Sequence, residues 1–200
     1  MPRILFAGPS PFSAKVLMAA VVAGIECEPV TVDTAAAPEG LTASNPLGKI
    51  PVLITDSGQS IFDSRGITHW LDRQSKGKLY PRNGDKRTEA EVLEALGDGL
   101  GDVLIAHVYE RRLRPAEKLH QPWLDKQWSK AERALDRLNA APPRLTKRPN
   151  AGHLSIRAVL GYLDLRFPGQ WEKGRPKLKR WARSFDRRFP VLATMLPRQA

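Results

Sequence analysis

The run Asn45-Pro46-Leu47-Gly48-Lys49-Ile50-Pro51-Val52-Leu53, followed by Phe62-Asp63-Ser64, constrains this chain more than any other stretch. Proline at the mouth of an apolar strand carries no N–H, so a central strand accommodates it poorly, and a cis Ile50-Pro51 bond is expected. The N–H and C=O of Ile50 are then left to pair with an extended peptide laid alongside, as in strand addition. Asp63 and Ser64 fall where the next strand hands over to a helix. Their side chains and the helix N-terminus suit the ammonium and carboxylate ends of such a peptide. The arrangement fits a small zwitterionic peptide.

The surrounding pattern places that run in a mixed domain. Ile4–Ala7 reads as a strand, Gly8-Pro9-Ser10-Pro11 as a loop, and Phe12–Ala23 as a helix stopped at Gly24. Glu28–Asp33 alternates and reads as a strand. Thr34–Ser44 reads as irregular, with at most one short helix. Val52–Asp56 and Ser60–Phe62 flank the Ser57-Gly58 hairpin signal, and Ser64–Gln74 is a helix with Ile67, Trp70 and Leu71 on one face. The order βαβ, connector, ββα is that of a thioredoxin-like domain over residues 1–75. Residues 76–85, with Gly77, Pro81 and Gly84 among charges, read as a linker. Residues 86–200 read as all helix: Arg87–Arg112, Pro115–Leu138, Ala151–Leu165 and Pro176–Phe189. Gly97, Gly99 and Gly101 interrupt the first of these, each at a cost of about 1 kcal/mol against alanine, which points to a close backbone approach or a bend. The fold class is α/β followed by all-α.

Composition narrows the setting. Two hundred residues with 42% apolar content are enough for real cores. No apolar run reaches the length of a transmembrane helix, and the N-terminus lacks a secretory pattern. The single cysteine, Cys27, fits a reducing cytoplasm and reads as a small buried or half-buried residue. The net charge of +11 is uneven: residues 1–75 carry 5 Lys and Arg against 7 Asp and Glu, and residues 76–200 carry 27 against 14. From Lys173 to Arg188 the charges Lys173, Arg175, Lys177, Lys179, Arg180, Arg183, Arg187 and Arg188 interleave with the apolar stripe Leu178, Trp181 and Phe185, so they read as a solvated face rather than a specific nucleic-acid site.

Together these motifs resemble the glutathione S-transferase family over nearly the whole chain. Ile4-Leu5-Phe6-Ala7-Gly8-Pro9-Ser10-Pro11-Phe12-Ser13-Ala14-Lys15-Val16 is similar to its first strand, active loop and first helix. Asn45–Leu53 is similar to its cis-proline segment, and Phe62-Asp63-Ser64-Arg65-Gly66-Ile67 to its acid-Ser-x-x-Ile signature. Leu160-Gly161-Tyr162-Leu163-Asp164-Leu165-Arg166-Phe167-Pro168 resembles a helix common in bacterial members. The resemblance implies a cytoplasmic, homodimeric glutathione transferase with a serine-type active loop and no metal. Ser10 stands where the family keeps its thiol-activating residue, with Ser13 as the local rival and helix capping as the plainer role. Glutathione's thiol is mostly protonated at neutral pH, and a donated hydrogen bond favours the reactive thiolate.

On the same resemblance Ile50 and Pro51 meet the cysteinyl unit, and Asp63 and Ser64 grip the γ-glutamyl end. Lys49 meets the glycyl carboxylate. Phe12, His107, Tyr109 and Trp123 are offered to the electrophile. Asp63 is one methylene shorter than the usual Glu or Gln. A second departure lies at the third helix of the all-helical region, where Asn150 and His153 stand in place of a Ser or Thr and an Asp. His153 is not the usual anionic partner, so a different contact is expected to hold this helix start. The same site would also serve a glutathione-dependent isomerase, dehalogenase or peroxidase, and the fold alone would serve a non-catalytic scaffold. The identity of the electrophile lies outside the sequence.

Overall fold

A computed structural model describes residues 1–199. Its strands are β1 (Arg3–Phe6), β2 (Glu28–Thr31), β3 (Val52–Ile54) and β4 (Ser60–Phe62), in the order β2-β1-β3-β4. β1 and β2 run parallel, while β1–β3 and β3–β4 are antiparallel. α1 (Pro11–Ala23) and α3 (Ser64–Gln74) pack together on one face, and the short α2 (Glu39–Ser44) lies on the other. The period-two rule explains the layering. Ile4 and Leu53 point into the core with Ile67 and Leu71, whereas Leu5 and Val52 point the opposite way onto Leu41. Gly24, in the left-handed region at φ 70°, ends α1 as expected.

The remainder is helical: α4 (Gly84–Leu113), α5 (Gln121–Ala140), α6 (Ala151–Arg166), α7 (Pro176–Arg188) and the short α8 (Pro190–Ala193). The fold is thus a thioredoxin-like sheet layer followed by a helical region. Two expected spans change. The helix expected over Pro115–Leu138 is a single 3₁₀ turn (Ala116–Lys118) and then α5, because Pro122 lacks an N–H and fits only a first turn. α4 begins inside the expected linker, where the Asn83 side chain accepts the Lys86 N–H at 3.0 Å.

α6 is the central helix, buried from Ala151 to Leu163. It lies against α4 so closely that a methyl group added at Gly97 would sit 2.9 Å from the Ser155 carbonyl carbon. A methyl group at Gly101 would come within 3.2 Å of the Phe12 ring. Two of the three glycines in α4 are therefore close-approach positions, while Gly99 faces open space. In α7 the stripe Leu178, Trp181 and Phe185 is buried. Arg175 is the exception among the expected solvated charges: it is buried and paired with Asp136 at 2.7 Å.

A buried polar cluster joins the sheet layer to the helices. Lys15 of α1, 1% exposed, places Nζ 2.8 Å from Glu94 Oε1 and 2.7 Å from Asp98 Oδ2. Asp98 also accepts from Ser155 Oγ at 2.7 Å and from Arg65 Nε at 3.0 Å. Glu94 accepts from the Tyr80 hydroxyl, whose titration burial pushes far up, so it stays a donor. Two carboxylates thus face two cations, and each carboxylate also has a hydroxyl donor. That balance lets charge sit in a dry interior.

The start of α6 corrects the expectation about His153. Asn150 Oδ1 accepts the His153 N–H at 3.0 Å, and His153 Nδ1 accepts the Asn150 N–H at 3.1 Å. A neutral imidazole therefore completes the same reciprocal capping box that an acid would. Its Nε2 lies 3.1 Å from the Arg144 carbonyl, to which it donates in this tautomer.

Replacing Lys15 by Met leaves two buried carboxylates with one cation. The expected loss is about 3–5 kcal/mol of stability, read from the urea midpoint. For His153, burial lowers the pKa below the ordinary 6.5. The neutral form is thus favoured by folding, and its stabilisation is complete above pH 6.5. It is lost as pH falls below 6.5 through the folded-state value. His153→Gln keeps an acceptor at this position without a titrating group. The wild-type stability curve between pH 8 and 5 should therefore drop more steeply than that of His153→Gln. Parallel curves would show that His153 does not titrate with unfolding.

Candidate functional site

The strand register gathers the motif segments at one end of the sheet. Leu5 of β1 stands opposite Val52 of β3, and Val52 stands opposite Phe62 of β4. The chain leaves β1 towards Ser10, enters β3 from Ile50-Pro51, and leaves β4 into Asp63-Ser64. Adjacent strands lie about 4.8 Å apart, so the three segments span roughly 10 Å.

The Ile50-Pro51 bond is cis. Asn45, 2% exposed, shapes the loop before it: its Nδ2 donates to the Lys49 carbonyl at 2.8 Å, and its Oδ1 accepts the Leu47 N–H at 3.1 Å. These bonds hold the turn and leave the Ile50 main chain unpaired among the described residues. Pro51 is buried and Lys49 is exposed.

Asp63 caps α3, with Oδ1 accepting the Arg65 N–H at 2.8 Å, and holds φ 61° and ψ 133°. A non-glycine residue in that region is strained, and such strain concentrates where a binding side chain must be aimed. Ser64 is buried at the first position of α3 and makes no side-chain hydrogen bond among the described residues. Arg65, next in sequence, ties this helix start to Asp98 of α4, and that bond raises the guanidinium's pKa further. One turn along α4, the Asp102 carboxyl is raised by burial and by Asp98, and it also senses the charges of Arg65, Asp63 and Lys49. Asp102 is thus a second acid near enough to Asp63 for their charges to repel.

The two serines of the first loop differ. Ser10 is the N-cap of α1, half-exposed, with Oγ accepting the Ser13 N–H at 3.2 Å. Its hydroxyl proton remains free for another acceptor, and it lies at the positive end of α1. Ser13 is 1% exposed and turns its oxygen back to the Ala7 N–H at 3.4 Å. The preceding loop is held from the far end of the chain, where the Arg198 N–H donates to the Gly8 carbonyl at 3.1 Å.

The residues expected around the electrophile differ in their surroundings. Phe12 packs over Gly101, Tyr109 is exposed on α4, and Trp123 is half-buried at the start of α5. His107 is buried on the α5 side of α4, with ring centroids 6.0 Å from Trp128 and 5.4 Å from Phe167. Sequence reasoning missed Lys15, Arg65, Glu94, Asp98 and Asp102. The one available signal was acidic residues inside the glycine-interrupted, core-facing stretch of α4, where charge needs a partner. Cys27 is half-buried, and burial raises its thiol pKa, so it is no rival nucleophile.

Comparison with known proteins bears on the same segments. Residues 9–74 match the glutathione S-transferase N-terminal domain, and residues 121–184 match the C-terminal domain. The uncharacterized GST-like protein YibF of Escherichia coli K12 is 32% identical over 175 residues, covering 84% of this chain and 86% of that protein. A glutathione S-transferase from Methylobacillus flagellatus, solved with GSH bound, is 31% identical with a TM-score of 0.90, covering 99% of this chain and all of that one. One from Methylobacterium radiotolerans, in complex with glutathione sulfonate, is 30% identical with a TM-score of 0.90, covering 100% of this chain and 96% of that one. A glutathione transferase family member from Pseudomonas fluorescens Pf-5 with bound glutathione is 33% identical with a TM-score of 0.89 over the full length of both. Matching at both ends of the chain and in its fold, the protein belongs to the glutathione S-transferase family.

Proposed function

We propose that the chain is a glutathione transferase that binds glutathione, favours its thiolate and joins the sulfur to an electrophilic, hydrophobic compound. The observation that carries this reading is the register Leu5–Val52–Phe62, which collects the segments bearing Ser10, Ile50 and Ser64 at one end of the sheet. The glutathione and glutathione sulfonate found in relatives near 30% identity support the same ligand here. In this reading residues 1–75 bind glutathione, 76–85 link, and 86–200 supply the helical wall. A homodimer in the cytoplasm completes it.

Each group has a task. The open N–H and C=O of Ile50 pair with the cysteinyl unit, and Pro51 fixes the turn that exposes them. The Ser64 hydroxyl and the first amides of α3 take the γ-glutamyl carboxylate. The Asp63 oxygen not engaged in capping takes the ammonium, with Asp102 adding negative charge. Lys49 meets the glycyl carboxylate. The Ser10 hydroxyl donates a hydrogen bond to the sulfur and favours the anion, while the thiol proton leaves to solvent. The thiolate's electron pair then forms the S–C bond as the bond to the electrophile's leaving group breaks and that group departs with its electrons.

Ser64→Ala removes a donor to a carboxylate, worth about 1.5–3 kcal/mol. Glutathione affinity measured by calorimetry should fall about ten-fold or more, and unchanged affinity would remove Ser64 from the site. Ser10→Ala should leave glutathione binding largely intact but raise the bound thiol's pKa by about one pH unit or more, followed by thiolate absorbance. An identical titration in both proteins would reduce Ser10 to a helix cap.

A further inference from the structure

Four buried side-chain polar atoms lack a partner among the described residues, and two of them, His107 Nδ1 and Arg166 Nε, line the same cavity. The cavity holds about 530 Å³ between the end of α4, the start of α5 and the end of α6. It is of ligand size. Its lining contains neither Ser10, Ile50, Asp63 nor Ser64, so it is separate from the thiol loop.

Two unsatisfied buried groups therefore line one cavity, where a ligand would supply the partner that each lacks. His107 is 6% exposed. Burial and the neighbouring Arg111 lower its pKa, so the imidazole is neutral at pH 7 and its free nitrogen can bond to a ligand. Arg111 and Arg112 also line the cavity, and Asp125 is the acid on its wall. Three arginines against one carboxylate leave two net positive charges. Asp125 is already engaged by Gln121 Nε2 at 2.6 Å. Trp128 and Phe167, with ring centroids 5.2 Å apart, form an aromatic wall beside these groups.

We infer that this cavity binds a small phosphate monoester, with Arg111, Arg112, Arg166 and His107 around the phosphate and Trp128 and Phe167 against a flat organic body. Guanidinium forks match phosphate oxygens in geometry, and the dianion matches the surplus of two charges. A singly charged carboxylate fills that surplus only in part. The rings give an aromatic body a face to stack on.

Phenyl phosphate is the probe, titrated into the full chain by calorimetry at physiological salt. Saturable binding at one site per chain is expected, with benzoate at least about ten-fold weaker. Arg166→Gln and Arg111→Gln should each weaken phenyl phosphate about ten-fold. Arg111 is exposed, so its variant separates loss of the site from loss of the fold. Circular dichroism of both variants checks that they are folded. No saturable binding overturns the inference, as does affinity unchanged in both variants. Benzoate binding as tightly as phenyl phosphate would overturn the phosphate assignment. Arg144→Gln and Arg148→Gln alter the larger basic cleft bounded by residues 76–82 and 141–150. Binding lost in that pair but kept in Arg166→Gln would place the anion there and overturn the inference.

Discussion

Lys15 stands at the junction between the sheet layer and the helices, and its ammonium meets two carboxylates that are themselves buried. A lone ion in that interior would be expelled or neutralised. Lys15, Glu94 and Asp98 form the buried heart of this set, with a hydroxyl donor at each acid, and the half-exposed Arg65 closes it from the surface. α1, α3, α4, α6 and the connection carrying Tyr80 all contribute, so the polar cluster adds directional bonds to the continuous apolar core that the two parts share. Apolar packing is adaptable at the scale of a methyl group, whereas this cluster demands specific distances.

That cluster reaches the end of the sheet that carries Asp63 and Ser64 through Arg65. The residue beside Ser64 is anchored to α4, so the start of α3 is positioned by the helical region as well as by its own strand. Asp72 does the same for the connection, accepting the N–H groups of Leu79 and Tyr80 at 2.8 and 3.1 Å. The candidate site is thus built on short local motifs whose placement is tied by long-range bonds.

The local motifs were legible in the sequence because their physics is local. Pro51, the Asp63-Ser64 helix start, the glycine stop at Gly24 and the buried stripe of α7 each follow from neighbours a few residues away. The cluster was not legible, since Lys15 and Asp98 are 83 residues apart and nothing near either announces the other. Gly97 and Gly101 declared a close approach but not its partner. His153 was misread for a different reason: the position was judged by charge, whereas the cap needs only a lone pair. Charge also misled at Arg175, which is buried in a helix-to-helix bridge, as is Arg157, bonded through two nitrogens to Asp186 at 2.7 and 2.9 Å.

The backbone at Asp63 carries a consequence for how this chain can change over generations. At φ 61° and ψ 133°, outside the left-handed helical region that asparagine tolerates, only glycine would sit without strain. It would relax the main chain, and it would discard the cap and the negative charge that the position presents. If Asp63 holds the ammonium as proposed, selection for a sturdier fold and selection for ligand recognition pull this one residue in opposite directions. Among variants chosen only for heat resistance, position 63 is where a gain in ruggedness would arrive together with a blunted site.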